Sequence, residues 1–157
     1  MGSRGAYVKG RIFSDEEIEA IIEAVQWESH KRMDREEARK AVKGRIMGKE
    51  LTTEIFDEHC TGIIKFNSNG VNNVLAHKHS STAEKKWAVE RLVNKKLSLS
   101  YEGYENLRMD SHNIQKKLKW GYTGFNKYTF EYMGNTYRLK TAIVKNKYEL
   151  PYNIDKL

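Results

Sequence analysis

The chain has 157 residues, with 28 basic and 21 acidic side chains and a net charge of +7. Hydrophobic residues make up 39% of it and charged residues 31%, a balance typical of a folded domain with a core. No apolar run approaches the roughly 20 residues of a transmembrane helix, and the first residues lack the apolar stretch of a secretory signal. The single cysteine, Cys60, excludes an internal disulfide framework. We therefore expect a cytoplasmic protein with no membrane partner.

The charge is unevenly distributed along the chain. Residues 1–60 hold 11 basic and 13 acidic side chains, for a net charge of −2, whereas residues 61–157 hold 17 and 8, for +9. We predict a helical lead-in or docking segment over 1–60 and a basic α+β domain over 61–157. Basic residues interleaved with tyrosines favour a nucleic-acid partner, although a merely soluble basic surface has the same composition.

Two helix starts are visible in the first 60 residues. Ser14 and Glu17 form a capping box, and the apolar residues that follow have the spacing of one buried helix face: Ile18, Ile21, Ile22 and Val25. Asp34 and Glu37 indicate a second start, and Gly44 is expected just past a helix end. This pattern leaves open one long helix or two. A further short helical turn is predicted over residues 53–59.

The middle of the chain alternates between short strands and helices. A strand is predicted over 62–66 and a loop over 67–70. Ser81 and Glu84 form another capping box, which begins a helix with an apolar side around Trp87. Residues 98–108 read as a polar connection, and Asp110 or Ser111 caps a further helix.

Residues 128–152 predict three antiparallel strands joined by turns at 133–135 and near Asn146. Tyr128, Phe130 and Tyr132 alternate with polar residues, as in a half-buried strand. The whole pattern predicts an α+β fold, in which an N-terminal helical segment precedes helices packed on a curved antiparallel sheet of about four strands.

The outward face of this predicted sheet carries a carboxylate and two cations. If the first hairpin pairs its apolar faces, then Glu131, Arg138 and Lys140 share the opposite face. This group is a candidate phosphate site, and the alternative is a cross-strand ion pair that contributes little stability. RNA cleavage by the neighbouring 2′-hydroxyl needs a base, an acid and fixed cations, but no metal. Glutamate, histidine, arginine and lysine can provide all three.

Histidines provide further candidate acids and bases. On extended backbone, His77 and His79 point the same way and act as an acid–base pair or share a metal; alternatively they belong to a polar loop in which Lys78 approaches an anion. His112 precedes a lysine-rich helix, where the dipole disfavours its cation; an exposed position is the alternative. With one cysteine and scattered histidines, we expect no metal and no cofactor.

The remaining candidates are RNA contacts. Tyr152 is a candidate to stack on a base or donate to the leaving oxygen, although tyrosines at strand spacing are commonly core residues. The predicted RNA-binding residues are Lys78, Lys116, Lys117, Lys119, Lys145, Lys147 and Tyr148. The chain has no P-loop, dinucleotide-binding, nucleophile-elbow or zinc-protease motif.

The C-terminal region resembles the barnase–EndoU–colicin–RelE-like ribonucleases, in particular phage-encoded members found behind head-morphogenesis domains. The residues that carry the resemblance are GIIKFNSNGVNNVLAHKHSS and FNKYTFEYMGNTYRLKTAIVKNKYELPY. It implies a metal-independent site with a histidine near the first helix (His77 or His79), sheet-borne cations (Arg138, Lys140) and a polar residue on the last strand (Tyr152). It also implies tRNA as substrate, a bacterial host cell, and an inhibitor or immunity protein as partner.

The leading functional prediction is thus a toxin-like or phage-encoded endoribonuclease that leaves a cyclic phosphate. Two alternatives remain. One is a non-catalytic nucleic-acid-binding accessory protein. The other is an interaction module whose acidic helices dock a larger protein, such as a phage head protein.

Overall fold

The computed structural model describes residues 7–8, 11–76 and 82–157. These residues form an α+β fold, as predicted, with five helices, a short hairpin and one large sheet. In chain order the elements are β1 (Tyr7–Val8), β2 (Arg11–Ile12), α1 (Asp15–Arg32), α2 (Arg35–Ile46), β3 (Glu50–Thr52), β4 (Ile63–Lys65), α3 (Ser68–Ala76), α4 (Ala83–Asn94), β5 (Ser100–Asn106), α5 (Ile114–Lys119), β6 (Tyr122–Tyr132), β7 (Asn135–Val144) and β8 (Tyr148–Lys156).

The large sheet has six strands in the order β3-β4-β8-β7-β6-β5 and is not closed. The four strands that the sequence predicts are β4, β6, β7 and β8; β3 and β5 add one strand at each edge. The sheet is mixed, because β4 runs parallel to β8 while the other pairs are antiparallel. Two helices lie between β4 and the later strands, a connection long enough to bring β8 alongside β4 in the same direction.

The β6–β7 hairpin forms as predicted. Tyr132 pairs with Asn135 across a two-residue turn in which Met133 and Gly134 have φ values of 50° and 75°. Two positive φ values match the twist of the flanking strands, which is why glycine is favoured there. A second turn, with positive φ at Lys145 and Asn146, leads into β8.

The sheet separates two apolar clusters. Strand alternation turns Tyr128 and Leu139 toward α2, α3 and α4, where the main core forms. Elements on both sides of residue 60 contribute to this core, since Val42 and Ile46 of α2 pack in it beside Ile64 of β4. On the other face, the end of the sheet near α5 carries a smaller cluster of Tyr122, Phe125, Ala142, Val144 and Leu150.

The two N-terminal helices begin where the capping residues predict. The Ser14 hydroxyl accepts from the Glu17 amide in a complete capping box, and Asp34 caps α2. The chain therefore forms two helices, and α2 continues through Gly44 to Ile46. The prediction that Gly44 ends the helix was wrong, because burial of Ile46 in the core outweighs the low helix propensity of glycine.

Several short elements differ from the sequence predictions. Residues 53–59 are irregular, not helical. The predicted loop at 67–70 is mostly the first turn of α3, with Asn67 Oδ1 accepting from the Gly70 amide. Thr82 caps α4, one residue after the predicted cap. Asn113, without a side-chain cap bond, precedes α5.

The predicted polar connection over 98–108 contains strand β5, which pairs with β6. A register shift between Tyr101 and Gly103 interrupts the alternation of this strand. That irregularity hides β5 from a search for a period of two.

Helix α1 faces the opposite way from the prediction. Ile21, Ile22 and Val25 are exposed, while Trp27 and His30 contact α4. His30 is buried and its Nε2 donates to the Ala83 carbonyl at 3.0 Å; burial is the main cause that lowers its pKa. Apolar spacing alone identified the helix but not the face that packs.

Candidate functional site

The open face of the sheet, on the side away from α2, α3 and α4, carries the predicted cations. The β6–β7 register places Lys127 directly opposite Lys140 and Thr129 opposite Arg138. Two lysines directly opposite one another repel. An anion between them therefore stabilises the arrangement.

Glu105 of β5 provides that anion. Its Oε2 lies 3.0 Å from Lys140 Nζ and 3.8 Å from Lys127 Nζ. The hydrogen bond from Lys140, supported by the charges of Lys140, Lys127 and Arg108, lowers the pKa of Glu105. The carboxylate is thus ionised at neutral pH and is held between two cations.

Glu102, also on β5, contacts Arg138. Arg138 NH2 donates to Glu102 Oε2 at 3.1 Å, and Nε lies 2.8 Å from Oε1. The close Nε approach is an ion pair without hydrogen-bond geometry, so among the described residues the buried Nε has no hydrogen-bond partner. Glu102 therefore already occupies the position from which another acceptor would approach this donor.

Sequence reasoning missed both glutamates. They are three residues apart, a spacing that in a regular strand places side chains on opposite faces. The register shift at Gly103 inserts one extra residue and lets both side chains reach the cations of the open face. A bulge glycine within a run of alternating tyrosines and glutamates is the only sequence signal.

Asn153 of β8 is a second incompletely bonded residue on this face. It lies opposite Lys140, and its Nδ2 donates to Asp155 at 3.2 Å. Its Oδ1 is buried and has no hydrogen-bond partner within the described part of the chain. Because buried polar atoms are nearly always paired, Asn153 Oδ1 is an exception on this face within the described residues.

Aromatic rings border the cations at the end near α5. Lys140 Nζ lies 4.6 Å from the ring centre of Phe125 and 5.8 Å from that of Tyr152. Lys117 of α5 reaches the same Phe125 ring at 5.9 Å. The open face thus combines cations, carboxylates and ring surface, the side-chain types that contact phosphates and bases in RNA.

The structure brings some of the predicted site residues together. Glu131, Arg138 and Lys140 share the open face, as the alternation predicts, but Arg138 contacts Glu102 instead of Glu131. Glu131 is exposed near the β6–β7 turn. Tyr152 packs against Phe125 beside Lys140, with ring centres 4.9 Å apart. The catalytic roles of these residues stay predictions.

Of the predicted histidines, His112 is the one that lies within the described residues. His77, Lys78 and His79 lie outside the described residues. His112 is exposed in the turn before α5. Of the predicted RNA-binding residues, Tyr148 lies under Lys65, whose Nζ is 4.5 Å from the ring centre, and the exposed lysines on α5 and the β7–β8 turn are Lys116, Lys119, Lys145 and Lys147.

A second polar cluster lies in the interior, around Glu149 of β8, which is fully buried. Its carboxylate accepts from Tyr128 OH at 2.8 Å, Thr141 Oγ1 at 2.6 Å and Asn126 Nδ2 at 3.1 Å. The Thr61 amide and hydroxyl complete the set at 3.0 and 2.8 Å. These bonds attach the irregular segment before β4 to the sheet.

Cys60 lies at the edge of the same interior cluster. Tyr128 OH approaches its Sγ at 3.6 Å. Burial is the main cause that raises the pKa of the thiol, so Cys60 is a poor candidate for an activated thiolate.

Two concave places lie away from the open face. A cleft of about 470 Å³ lies between β3 and residues 96–99, and an aromatic pocket of about 170 Å³ lies between Trp27, Trp87 and Tyr137. Small molecules usually bind in such concave places. An open sheet face with charges and rings instead suits an extended polymer, which is why we place the candidate site there.

Comparisons with protein-family models, with curated proteins and with solved structures give no match for this chain. The resemblance to ribonucleases therefore rests on the residues quoted above. Among the described residues, no helix combines the length and the apolar character needed to cross a membrane. Within the same residues, no three His, Cys, Asp or Glu side chains come together as metal ligands.

Proposed function

We propose that the open face binds RNA and cleaves it without a metal, through attack of a 2′-hydroxyl on the adjacent phosphate. The observation that carries the proposal is the Glu105 carboxylate, held 3.0 Å from Lys140 beside the Arg138–Glu102 pair. A carboxylate and two cations thereby lie on one open surface. These are groups that the reaction requires.

In the proposed reaction, the 2′-hydroxyl proton passes to the Glu105 carboxylate as the 2′-oxygen bonds to phosphorus. The bond from phosphorus to the 5′-oxygen breaks, and the Tyr152 hydroxyl, whose ring lies beside Lys140, protonates the leaving oxygen. Arg138 and Lys140 stabilise the charge on the phosphorus oxygens. The products are a 2′,3′-cyclic phosphate and a 5′-hydroxyl end.

Glu105 takes the role that the sequence suggested for Glu131. A base must lie within hydrogen-bond reach of the hydroxyl while the cations reach the phosphate. Glu105 already contacts Lys140, whereas Glu131 lies toward the far end of the hairpin. The tRNA substrate and the inhibitor protein that the resemblance implies belong to this proposal.

The test is incubation of the purified protein with total bacterial RNA in EDTA, read on a denaturing gel. We expect discrete fragments that end in a cyclic phosphate. Glu105→Gln should reduce the rate by roughly 100-fold or more, the usual contribution of a general base, while Glu131→Gln retains it. Equal rates in wild type and Glu105→Gln would remove the assignment of the base.

The pH dependence provides a second readout. The lowered pKa keeps Glu105 ionised below the ordinary glutamate value of 4.5, so the wild-type rate should decline only at more acidic pH. The residual rate of Glu105→Gln should lack that decline. If the rate instead rises with pH over the range in which histidine loses its proton, the base would be a histidine.

A non-catalytic RNA-binding protein is the second candidate. The ion pairs favour it, because Glu102 and Glu105 already engage Arg138 and Lys140. Intact RNA together with a shifted band on a native gel would establish this candidate. No binding even at low salt would contradict both functions and leave the protein-interaction module.

A further inference from the structure

We infer that α1 is a dimerisation helix, which packs antiparallel against α1 of a second copy of this chain about a two-fold axis. Ile21, Ile22 and Val25 are 48%, 50% and 63% exposed. With Ile18 they follow a spacing of three and four residues and form one aliphatic face. A continuous aliphatic face in water indicates a binding surface, unlike isolated exposed residues.

The helix cannot turn this face inward, because its other side is already engaged. Glu23 accepts from Arg91 NH1 at 3.1 Å and from the Tyr132 hydroxyl. Trp27 and His30 contact Trp87, with ring centres 6.5 and 5.1 Å apart. These polar and aromatic contacts fix the rotation of α1 and leave the aliphatic face outside.

The two halves of the face differ in shape. Its first half carries the bulky Ile18, Ile21 and Ile22. Its second half has a shallow concavity of about 510 Å³, lined by Ala24, Val25, Glu28, Ser29 and Arg32. Antiparallel packing places the bulky half of each helix on the concave half of the other, so both copies make the same contact, as a two-fold interface requires.

The charges also select the antiparallel direction. The first turn of α1 is acidic, with Asp15, Glu16 and Glu17, and the last is basic, with Lys31 and Arg32. In an antiparallel pair centred between Ile22 and Val25, Asp15 of each copy lies near Arg32 of the other. A parallel pair would place like charges together at both ends. The helix dipoles favour the antiparallel pair as well.

One helix face is smaller than the roughly 800 Å² per partner of a standard interface, so we expect association to depend on concentration. Light scattering after size exclusion should give 18.3 kDa per particle at low concentration and twice that mass at high concentration. The Ile22→Glu variant should stay monomeric at every concentration. The matched control is Phe56→Glu, which removes a 99% exposed apolar side chain elsewhere and should leave the dimer intact.

A charge exchange tests the direction. Asp15→Lys and Arg32→Glu should each weaken self-association, because each homodimer then brings like charges together. An equal mixture should associate again, since the lysine introduced in one variant then meets the glutamate introduced in the other, while the remaining native Asp15 and Arg32 meet each other. Any loss of helix stability caused by the substitutions is the same in the separate variants and in their mixture, so it does not affect the comparison. A monomer at millimolar concentration, or a mixture no tighter than its components, would overturn the proposal.

Discussion

At the scale of single residues, the least predictable side chain is Glu149. A glutamate in a terminal strand between Tyr148 and Leu150 looks like an outward-facing residue, yet it is fully buried. Its burial is tolerable only because five donors surround its two oxygens. A buried charge without such partners would cost several kcal/mol.

Glu149→Gln should therefore destabilise the protein, although it preserves the volume of the side chain. The amide retains one acceptor oxygen but directs an NH₂ group at donors such as the Thr61 amide or Tyr128 hydroxyl, which then lose their acceptor. Unpaired buried donors cost about 1–3 kcal/mol, measurable as a lower urea midpoint. Glu131→Gln, at an exposed position, should leave the stability within about 0.5 kcal/mol of wild type. Equal midpoints for the two variants would show that the interior network contributes nothing.

At the scale of elements, two helical glycines should respond oppositely to alanine. Gly44, exposed in α2, has no atom within 4 Å of an added Cβ, so Gly44→Ala should stabilise the protein by roughly 0.5–1 kcal/mol through helix propensity. Gly70, in the first turn of α3, would place a Cβ 2.6 Å from Pro151 Cδ and 3.2 Å from the Lys65 carbonyl. Neither neighbour is the end of a flexible side chain, so overpacking of about 1–3 kcal/mol should outweigh the propensity gain.

Thermal unfolding of the two variants beside wild type measures this difference. A raised melting temperature for Gly70→Ala would mean that α3 moves away from β8 without cost. A lowered one for Gly44→Ala would mean that α2 needs the glycine for a reason other than packing.

The sequence predicts elements best where one physical signal acts alone. Capping side chains located the starts of α1 and α2, and the alternation around Tyr128 and Leu139 located β6 and β7 with their faces. Prediction from the sequence failed where contacts between distant residues determine the structure. The bulge at Gly103 concealed β5 and its two glutamates. In α1, spacing identified an aliphatic face, but contacts of Trp27 with distant residues turned it outward.

The candidate site was predictable to the same degree. Strand alternation is local, so Arg138 and Lys140 could be assigned to one face from the sequence alone. Their partners come from β5, and Glu102 lies 36 residues before Arg138 in the chain. Nothing local to Arg138 indicates that Glu102, and not Glu131, contacts it.

At the scale of the whole molecule, net charge is a poor measure of how strongly the open face should attract RNA. The region from residue 61 onward carries +9, yet Lys127, Arg138 and Lys140 are neutralised in part by Glu102 and Glu105. Exposed ion pairs of this kind leave little field at a distance. Contacts made on the face itself should therefore dominate recognition.

The salt dependence of RNA binding tests this distribution. For single-stranded nucleic acid, the logarithm of the binding constant falls against the logarithm of the salt concentration with a slope of about −0.7 per neutralised phosphate. Full engagement of the four cations of this face would therefore give a slope of about −3; these cations are Lys117, Lys127, Arg138 and Lys140. Because two glutamates offset them, the wild type should give a shallower slope. The double variant Glu102→Gln/Glu105→Gln should bind more tightly at low salt and approach the full slope. A wild-type slope already steeper than about −3 would place the phosphates on lysines beyond the open face, such as Lys116, Lys119, Lys145 and Lys147.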